Sequence, residues 1–336
     1  MNLLKKVVKI IFKTVALVVL LVVILLIYFN FPIKTPDKKF GLGVTFSSRY
    51  ASDINLDWKE TYLAILDDLK IKKIRLPVYW DIVEPSQGIY NFTDLDWQLQ
   101  EARKREVEVI VAVGQKVPRW PECFTPEWAK NNNQMKNEAI LKFMEVVVDR
   151  YKNNSAVKYW QVENEPFLPF GYCPDFDINN LDPEIATVRA KDPSRKIIVT
   201  DSGELSLWFR AAKRADIFGT TMYRTIWKKE IGYFKYPVGP RFFKVKYLLN
   251  KYIARNENAI VIELQAEPWI AGATTDGQLE EQFKSMNLKQ LKENVEYAKK
   301  VGFPEIYLWG VEWWYWLKTT QGHPELWDTA KEIFQE

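Results

Sequence analysis

Gln161-Val162-Glu163-Asn164-Glu165-Pro166 and Val261-Ile262-Glu263-Leu264-Gln265-Ala266-Glu267-Pro268-Trp269 decide how this chain is read. Each opens as an apolar run and ends in carboxylates. Short apolar runs are what strands buried on both faces look like. A carboxylate that closes such a strand is delivered to one rim of a sheet. The fold then depends on how many strands of this kind the chain supplies, and in what order.

Outward from these two stretches, strand and helix patterns alternate. Strands are predicted at Phe40–Phe46, Ile71–Val78, Val107–Val113, Val157–Glu163, Lys196–Thr200, Ile217–Met222, Ala259–Leu264 and Glu305–Trp309. Helices are predicted at Asp57–Lys70, Leu95–Arg105, Asn137–Tyr151, Glu184–Ala190, Leu205–Arg214, Phe242–Ala254, Leu279–Lys300 and Glu325–Phe334. In Asn137–Tyr151, for example, Ile140, Leu141, Met144, Val147 and Val148 share one face. Eight strand–helix units over roughly 300 residues predict an α/β chain folded as a (β/α)₈ TIM barrel. A doubly wound open sheet would show a Gly-rich phosphate loop after its first strand. Gly41-Leu42-Gly43 has no further glycine at the right spacing.

Before the barrel lies a different kind of sequence. Val15 to Phe29 is apolar apart from Tyr28, and with Ile10 to Thr14 the run reaches about the 20 residues a bilayer needs. Lys5, Lys6, Lys9 and Lys13 precede it, so the positive-inside rule puts residues 1–9 in the cytoplasm and everything after 34 outside. Tyr28-Phe29-Asn30-Phe31-Pro32 is too bulky for a signal-peptidase site, which favours an uncleaved anchor over a cleaved leader. The domain reading is a cytoplasmic tip and single transmembrane helix over 1–31, a linker over 32–39 and the barrel over 40–336.

Those four lysines account for the whole net charge of +4, so the barrel has none of the basic excess a nucleic-acid partner would want. Membrane contact is expected through the N-terminal helix, and a monomer is expected. His323 is the only histidine, which excludes a metal site built on several imidazoles. Acid–base chemistry must rest on carboxylates, tyrosine or lysine, with no cofactor. Cys123 follows the third strand and Cys173 the fourth. In an exported chain they could form a disulfide or remain two free thiols, and both readings stay open.

In such a barrel the active site forms at the strands' C-terminal ends, and polar and aromatic residues collect there. The second strand ends Arg75-Leu76-Pro77-Val78-Tyr79-Trp80, the third runs into Gln115, Arg119 and Trp120, the fourth ends Asn164-Glu165-Pro166, the sixth ends at Tyr223, the seventh at Glu263, and the eighth enters Trp309-Gly310-Val311-Glu312-Trp313-Trp314. Two carboxylates facing each other across a sugar-sized gap are the equipment for breaking a glycosidic bond.

The pattern resembles clan A of the glycoside hydrolases, the (β/α)₈ group that includes family 5 cellulases and mannanases, family 10 xylanases and family 39. The marks are Asn164-Glu165-Pro166, the strand-ending Glu263, and Trp80-Asp81-Ile82-Val83-Glu84-Pro85-Ser86-Gln87-Gly88-Ile89-Tyr90-Asn91-Phe92 after strand two. The resemblance implies a retaining glycoside hydrolase acting on a β-linked glycan. It makes Glu165 the general acid/base, Glu263 the nucleophile, Asn164 the partner of the sugar 2-hydroxyl, Arg75 and Tyr223 the holders of the nucleophile, and Trp309 the floor of the subsite. Glu267 shares strand parity with Glu263 and is read as a substrate-binding or structural acid. Trp80, Trp120 and Trp269 lie near strand ends and line either the cleft or the core. A barrel that only binds glycans and a transglycosidase are the alternatives.

Overall fold

The computed structural model describes residues 2–130, 132–174 and 176–335. Its centre is a closed barrel of eight parallel strands: β1 (Gly41–Thr45), β2 (Lys73–Pro77), β3 (Glu108–Val113), β4 (Val157–Val162), β5 (Ile197–Asp201), β6 (Ile217–Met222), β7 (Ala259–Gln265) and β8 (Glu305–Trp309). Each strand pairs with the next in sequence, and β8 closes on β1 with Gly41 opposite Glu305 and Thr45 opposite Trp309. Alternate residues of each strand face opposite sides. One set, including Val109, Val111, Trp160, Val162, Val199, Phe218, Val261 and Leu308, packs against the surrounding helices. The other set fills the barrel with Ile110, Ile198, Ile217, Ile260, Ile262 and Tyr307.

The TIM barrel is as expected, and the differences are local. The expected helix Leu205–Arg214 shrinks to Phe209–Ala212. The Ser206 hydroxyl accepts from the Trp208 amide and donates to Asp201, and Trp208 takes a left-handed φ of 71°, so the chain turns before a helix can begin. The long helix expected over Leu279–Lys300 is two, Leu279–Ser285 and Leu288–Val301. Met286 and Asn287 are extended, and the Asn287 side chain caps the second helix by accepting from the Gln290 amide. A helix over Val311–Thr320 is unforeseen, because Val311-Glu312-Trp313-Trp314-Tyr315-Trp316 has the near-continuous apolarity of a strand. An antiparallel hairpin, Thr225–Lys228 with Gly232–Lys235, follows β6.

Asn2–Asn30 is one continuous helix, and Leu4–Asn30 is long and apolar enough to cross a bilayer. Its final turn rests on the helix Pro240–Ile253, with the Phe29 and Phe242 rings 5.4 Å apart.

Candidate active site

Arg75 is the hub. It stands on the inner face of β2, fully buried, and its guanidinium makes three hydrogen bonds of 2.7 Å: Nε to Gln161 Oε1, Nη2 to Asn164 Oδ1 and Nη1 to Glu263 Oε1. A planar, rigid fork therefore ties the end of β4 to the end of β7 across the barrel. The Tyr223 hydroxyl, just beyond β6, donates to Glu263 Oε2 at 2.8 Å, so both oxygens of that carboxylate are held. Glu165 Oε1 accepts from the Thr221 hydroxyl at 3.1 Å, and Thr221 lies opposite Glu263 in the β6–β7 ladder. The two glutamates accordingly face one space at the C-terminal rim.

Strict alternation would not place Glu263 there. Ile260 and Ile262 point into the barrel while Val261 points out, so an unbroken strand would turn Glu263 outward with Val261. The ladder slips at this point: Thr220 pairs with Val261, but Thr221 pairs with Glu263. A slip is also present on the β8 side, between Ile306 and Leu308. This bulge re-aims the side chain inward, as bulges beside active sites do.

Glu165 is placed by a different device. After β4 the chain passes through two left-handed residues, Glu163 (φ 56°) and Glu165 (φ 42°). Strained backbone of this kind persists only where its surroundings over-determine it. Here Glu163 accepts from the backbone amides of Gln115 and Lys116 at 2.7 and 2.6 Å, and a Cβ on Gly114 would lie 2.4 Å from its Oε1, so only glycine fits. The Glu165 amide donates to the Thr200 hydroxyl at 2.7 Å, and Lys116 Nζ donates to the carbonyls of Glu165 and Leu168. Burial, then the negative charges of Glu263 and Glu122, raise the Glu165 carboxyl well above the ordinary carboxylate range.

Glu267 has another environment. Its Oε1 accepts from Trp309 Nε1 at 2.6 Å and from Arg119 Nη1. Arg119 also donates to Glu312 Oε2 at 2.7 Å and is layered between the rings of Tyr50 and Trp309, 3.9 and 4.2 Å from their centroids. Gly310 (φ 128°) packs against this acid: a Cβ there would lie 2.4 Å from Glu267 Cβ. Glu267 thus orients Trp309, and its buried Oε2 has no hydrogen-bond partner.

The aromatic candidates divide. Trp120, Phe170, Trp269 and Tyr223 form a chain of ring contacts at 6.3, 5.7 and 5.2 Å, running from an exposed edge to the hydroxyl that holds Glu263. Trp80 does not belong to it. Fully buried, it packs on Trp128 and Phe143 and donates its indole N–H to Glu84, so of its two readings the cleft role, as a substrate-binding residue, gives way to the core role. The residue follows β2 by three positions and opens a short helix, Trp80–Val83, that turns the ring away from the mouth.

The model of the cellulase family, glycosyl hydrolase family 5, matches residues 43–304. The chain belongs to glycosyl hydrolase family 5. Among curated proteins it matches endoglucanase H of Acetivibrio thermocellus, 24% identical over 169 residues, covering 48% of this chain and 18% of that protein. Among solved structures it is similar to a GH5_18 protein of Bifidobacterium longum (TM-score 0.58, 13% identity, 81% of this chain and 70% of that one). A β-galactosidase of Halorubrum lacusprofundi is also similar (0.55, 13%, 80% and 52%), as is a GH10 endoxylanase from a sugarcane soil metagenome (0.56, 12%, 81% and 86%). At these identities the likeness is one of fold.

Two parts of this family 5 site escaped the sequence reading. Glu122, in the loop after β3, accepts from Asn164 Nδ2 at 3.1 Å. Burial, opposed by Lys116 and reinforced by Glu263, pushes its carboxyl up to about 7. The Arg119–Glu267–Glu312 cluster is the other, with the Ser47 amide donating to Glu312 Oε1 at 2.6 Å. Arg119 and Glu312 were visible near strand ends and Glu267 was read as a substrate-binding or structural acid, but their pairing was not visible. Cys123 and Cys173 form a disulfide, which joins the Glu122 loop to the one carrying Phe170. A Cβ on Gly171 would meet the Glu122 Cβ at 2.6 Å, so the second loop packs directly on the first.

Proposed function

We propose that this family 5 chain is a retaining glycoside hydrolase that cleaves a β-linked glycan by double displacement, tethered by its N-terminal helix as a single-pass anchor with the barrel outside the cytoplasm. Glu165 gives its proton to the leaving-group oxygen as Glu263 attacks the anomeric carbon and the glycosidic bond breaks. Glu165, now ionised, takes a proton from water as that water displaces Glu263 and restores the acid. The observation that carries this reading is the Arg75 fork, which ties Glu263 to Asn164 beside Glu165. The two glutamates have opposite environments. Glu263 sits between a guanidinium and a phenol, which suits an anion. Glu165 is buried among negative charges, which suits a proton donor.

Asn164 and the free oxygen of Glu267 are assigned to sugar hydroxyls. Trp309, with one face against Arg119, is assigned as the floor of the subsite, and Trp120 and Trp269 as walls. The cellulase family model and the matched endoglucanase support a β-linked substrate.

The test is turnover of aryl β-glycosides and β-glucans by the full chain and its Glu165→Ala, Glu263→Gln and Glu267→Gln variants. Glu263→Gln is expected to abolish turnover. Glu165→Ala is expected to lose least on substrates whose leaving groups need no proton. Proton NMR of the first-formed anomer is expected to show retention. Full activity in Glu263→Gln, or an inverted product, overturns the assignment.

A further inference from the structure

The helix Pro240–Ile253 is apolar on two sides: Phe242, Phe243 and Tyr247 pack on the core, and a second set of apolar residues faces outward. Its inward stripe is Phe243, Lys246 and Asn250, all buried. Diametrically opposite lie Val245, Leu248, Leu249 and Tyr252, at the spacing of one helix face. Leu248, Leu249, Tyr252 and Ile253 are 50, 48, 76 and 49% exposed. A helix whose outer face met only water would carry its leucines inside and its lysine outside. Lys246 is kept inside because its ammonium donates to the Gly203 carbonyl and lies 4.1 Å from the centre of the Trp208 ring. The outer face therefore suits apolar surroundings.

What covers it is indicated by its neighbour. The end of the apolar N-terminal helix is seated on the start of this same helix. Asn30 Nδ2 donates to the Pro237 carbonyl at 2.9 Å, and Arg241 Nε donates to the Phe31 carbonyl at 3.0 Å. A Cβ on Gly239 would lie 2.4 Å from the Phe29 carbonyl oxygen, so the approach admits glycine alone. Arg241 also lies 5.3 and 5.0 Å from the ring centres of Tyr28 and Phe31. Tyr252 is three turns further on, about 16 Å. Lys244 gathers with Arg241 and Lys38; partial burial and the charges of those two hold it below the usual lysine range. Leucines and a tyrosine flanked by basic residues are the composition of a helix that lies in a headgroup layer.

We infer that Val245, Leu248, Leu249 and Tyr252 dock the side of the barrel on the bilayer that the N-terminal helix enters, with Lys38, Arg241 and Lys244 level with anionic headgroups. The inference rests on the membrane reading of the N-terminal helix. Val238, just before the docking helix, accepts from Arg224 Nη2 at 2.8 Å, and Arg224 follows β6 at the catalytic rim. The start of the docking helix accordingly lies beside the rim that carries the candidate site.

The test uses the full chain in vesicles of phosphatidylcholine and phosphatidylglycerol. Spin labels are placed singly through Leu249→Cys, Tyr252→Cys, Val18→Cys in the N-terminal helix, and Glu332→Cys on the exposed face of the last helix. Power saturation compares access of oxygen with that of a nickel chelate. Labels at 249 and 252 are expected to favour oxygen, as at 18, while 332 favours nickel. Nickel access at 249 and 252 with Val18 in lipid overturns the docking and leaves the anchor standing. Nickel access at Val18 overturns the anchor reading and the docking with it. Labels at 249 and 252 shielded from both reagents would place a second protein copy on this face and likewise end the inference.

Discussion

Lys73 and Arg75 stand two residues apart on β2, on the same inner face, and their surroundings separate them. Lys73 lies at the N-terminal end of the barrel, where its ammonium pairs with Glu108 on β3 and, at 3.2 Å, with Glu305 on β8. Glu108 is 38% exposed and has a second partner in Lys158 at 2.9 Å. Lys73 and Glu305 are 17% and 15% exposed, so water reaches this cluster at its edge and screens it in part. Arg75 lies on the other side of the isoleucine layer, its side chain 0% and Glu263's 3% exposed. Nothing screens that pair, and it cannot be relieved by water if one partner is removed. The apolar layer thus makes one end of the barrel a solvated clasp and the other a pre-organised electrostatic site.

Substitution sharpens the contrast. Arg75→Met is expected to lower kcat/KM by about 10²–10³ and unfolding free energy by about 3–5 kcal/mol. Lys73→Met is expected to cost about 1 kcal/mol or less and leave turnover unchanged. Steady-state kinetics and denaturant melts check both, and equal losses from the two would break the comparison. Replacing Cys123 and Cys173 together by serine should cost roughly 2–4 kcal/mol. It should also raise KM more than it lowers kcat, because Trp120, Glu122 and Phe170 lie nearest the bridge, while Glu165, further back in the same loop, is held independently by Thr200.

Trp120→Ala is expected to raise KM about two- to tenfold at unchanged melting temperature, following the ~0.5–1.5 kcal/mol of an aromatic contact. Trp80→Ala, a core change, should lower the melting temperature and leave KM alone.

The smallest effect concerns Glu122. Its carboxyl is raised from 4.5 to about 7, so the folded state binds the proton more tightly than the unfolded chain. Stability from this group is full below about pH 4.5 and is lost as pH rises through about 7. The Glu122→Gln variant, neutral throughout, should show a flatter melting temperature between pH 5 and 8. Removing its charge should also lower the Glu165 proton affinity, moving the alkaline limb of kcat/KM to lower pH. An unmoved limb would separate Glu122 from the acid.

Much of this was legible because it rests on local chemistry. Runs of apolar residues ending at Arg75, Asn164, Tyr223, Glu263 and Trp309 marked both the barrel strands and the rim, since a strand buried on both faces can carry polar groups only where it emerges. The helix Val311–Thr320 was not legible, because near-continuous apolarity fits a buried helix as well as a strand. Trp80 stayed open between cleft and core for a related reason: nearness to a strand end gives a residue its height on the barrel and leaves its direction open.

The alternation of apolar runs with helical patterns was enough to determine eight strands, their order, and which end of each would bear chemistry. Burial of backbone and apolar side chains has few solutions at that level. The tertiary structure alone decided which carboxylate turns inward. The bulge in β7 swings Glu263 against the parity of Ile260 and Ile262, and the left-handed turn at Glu165 is held by Gly114 and Thr200 from two other parts of the chain, with Glu163 beside it. Such directions depend on contacts between residues far apart in sequence, and no pattern within one strand encodes them.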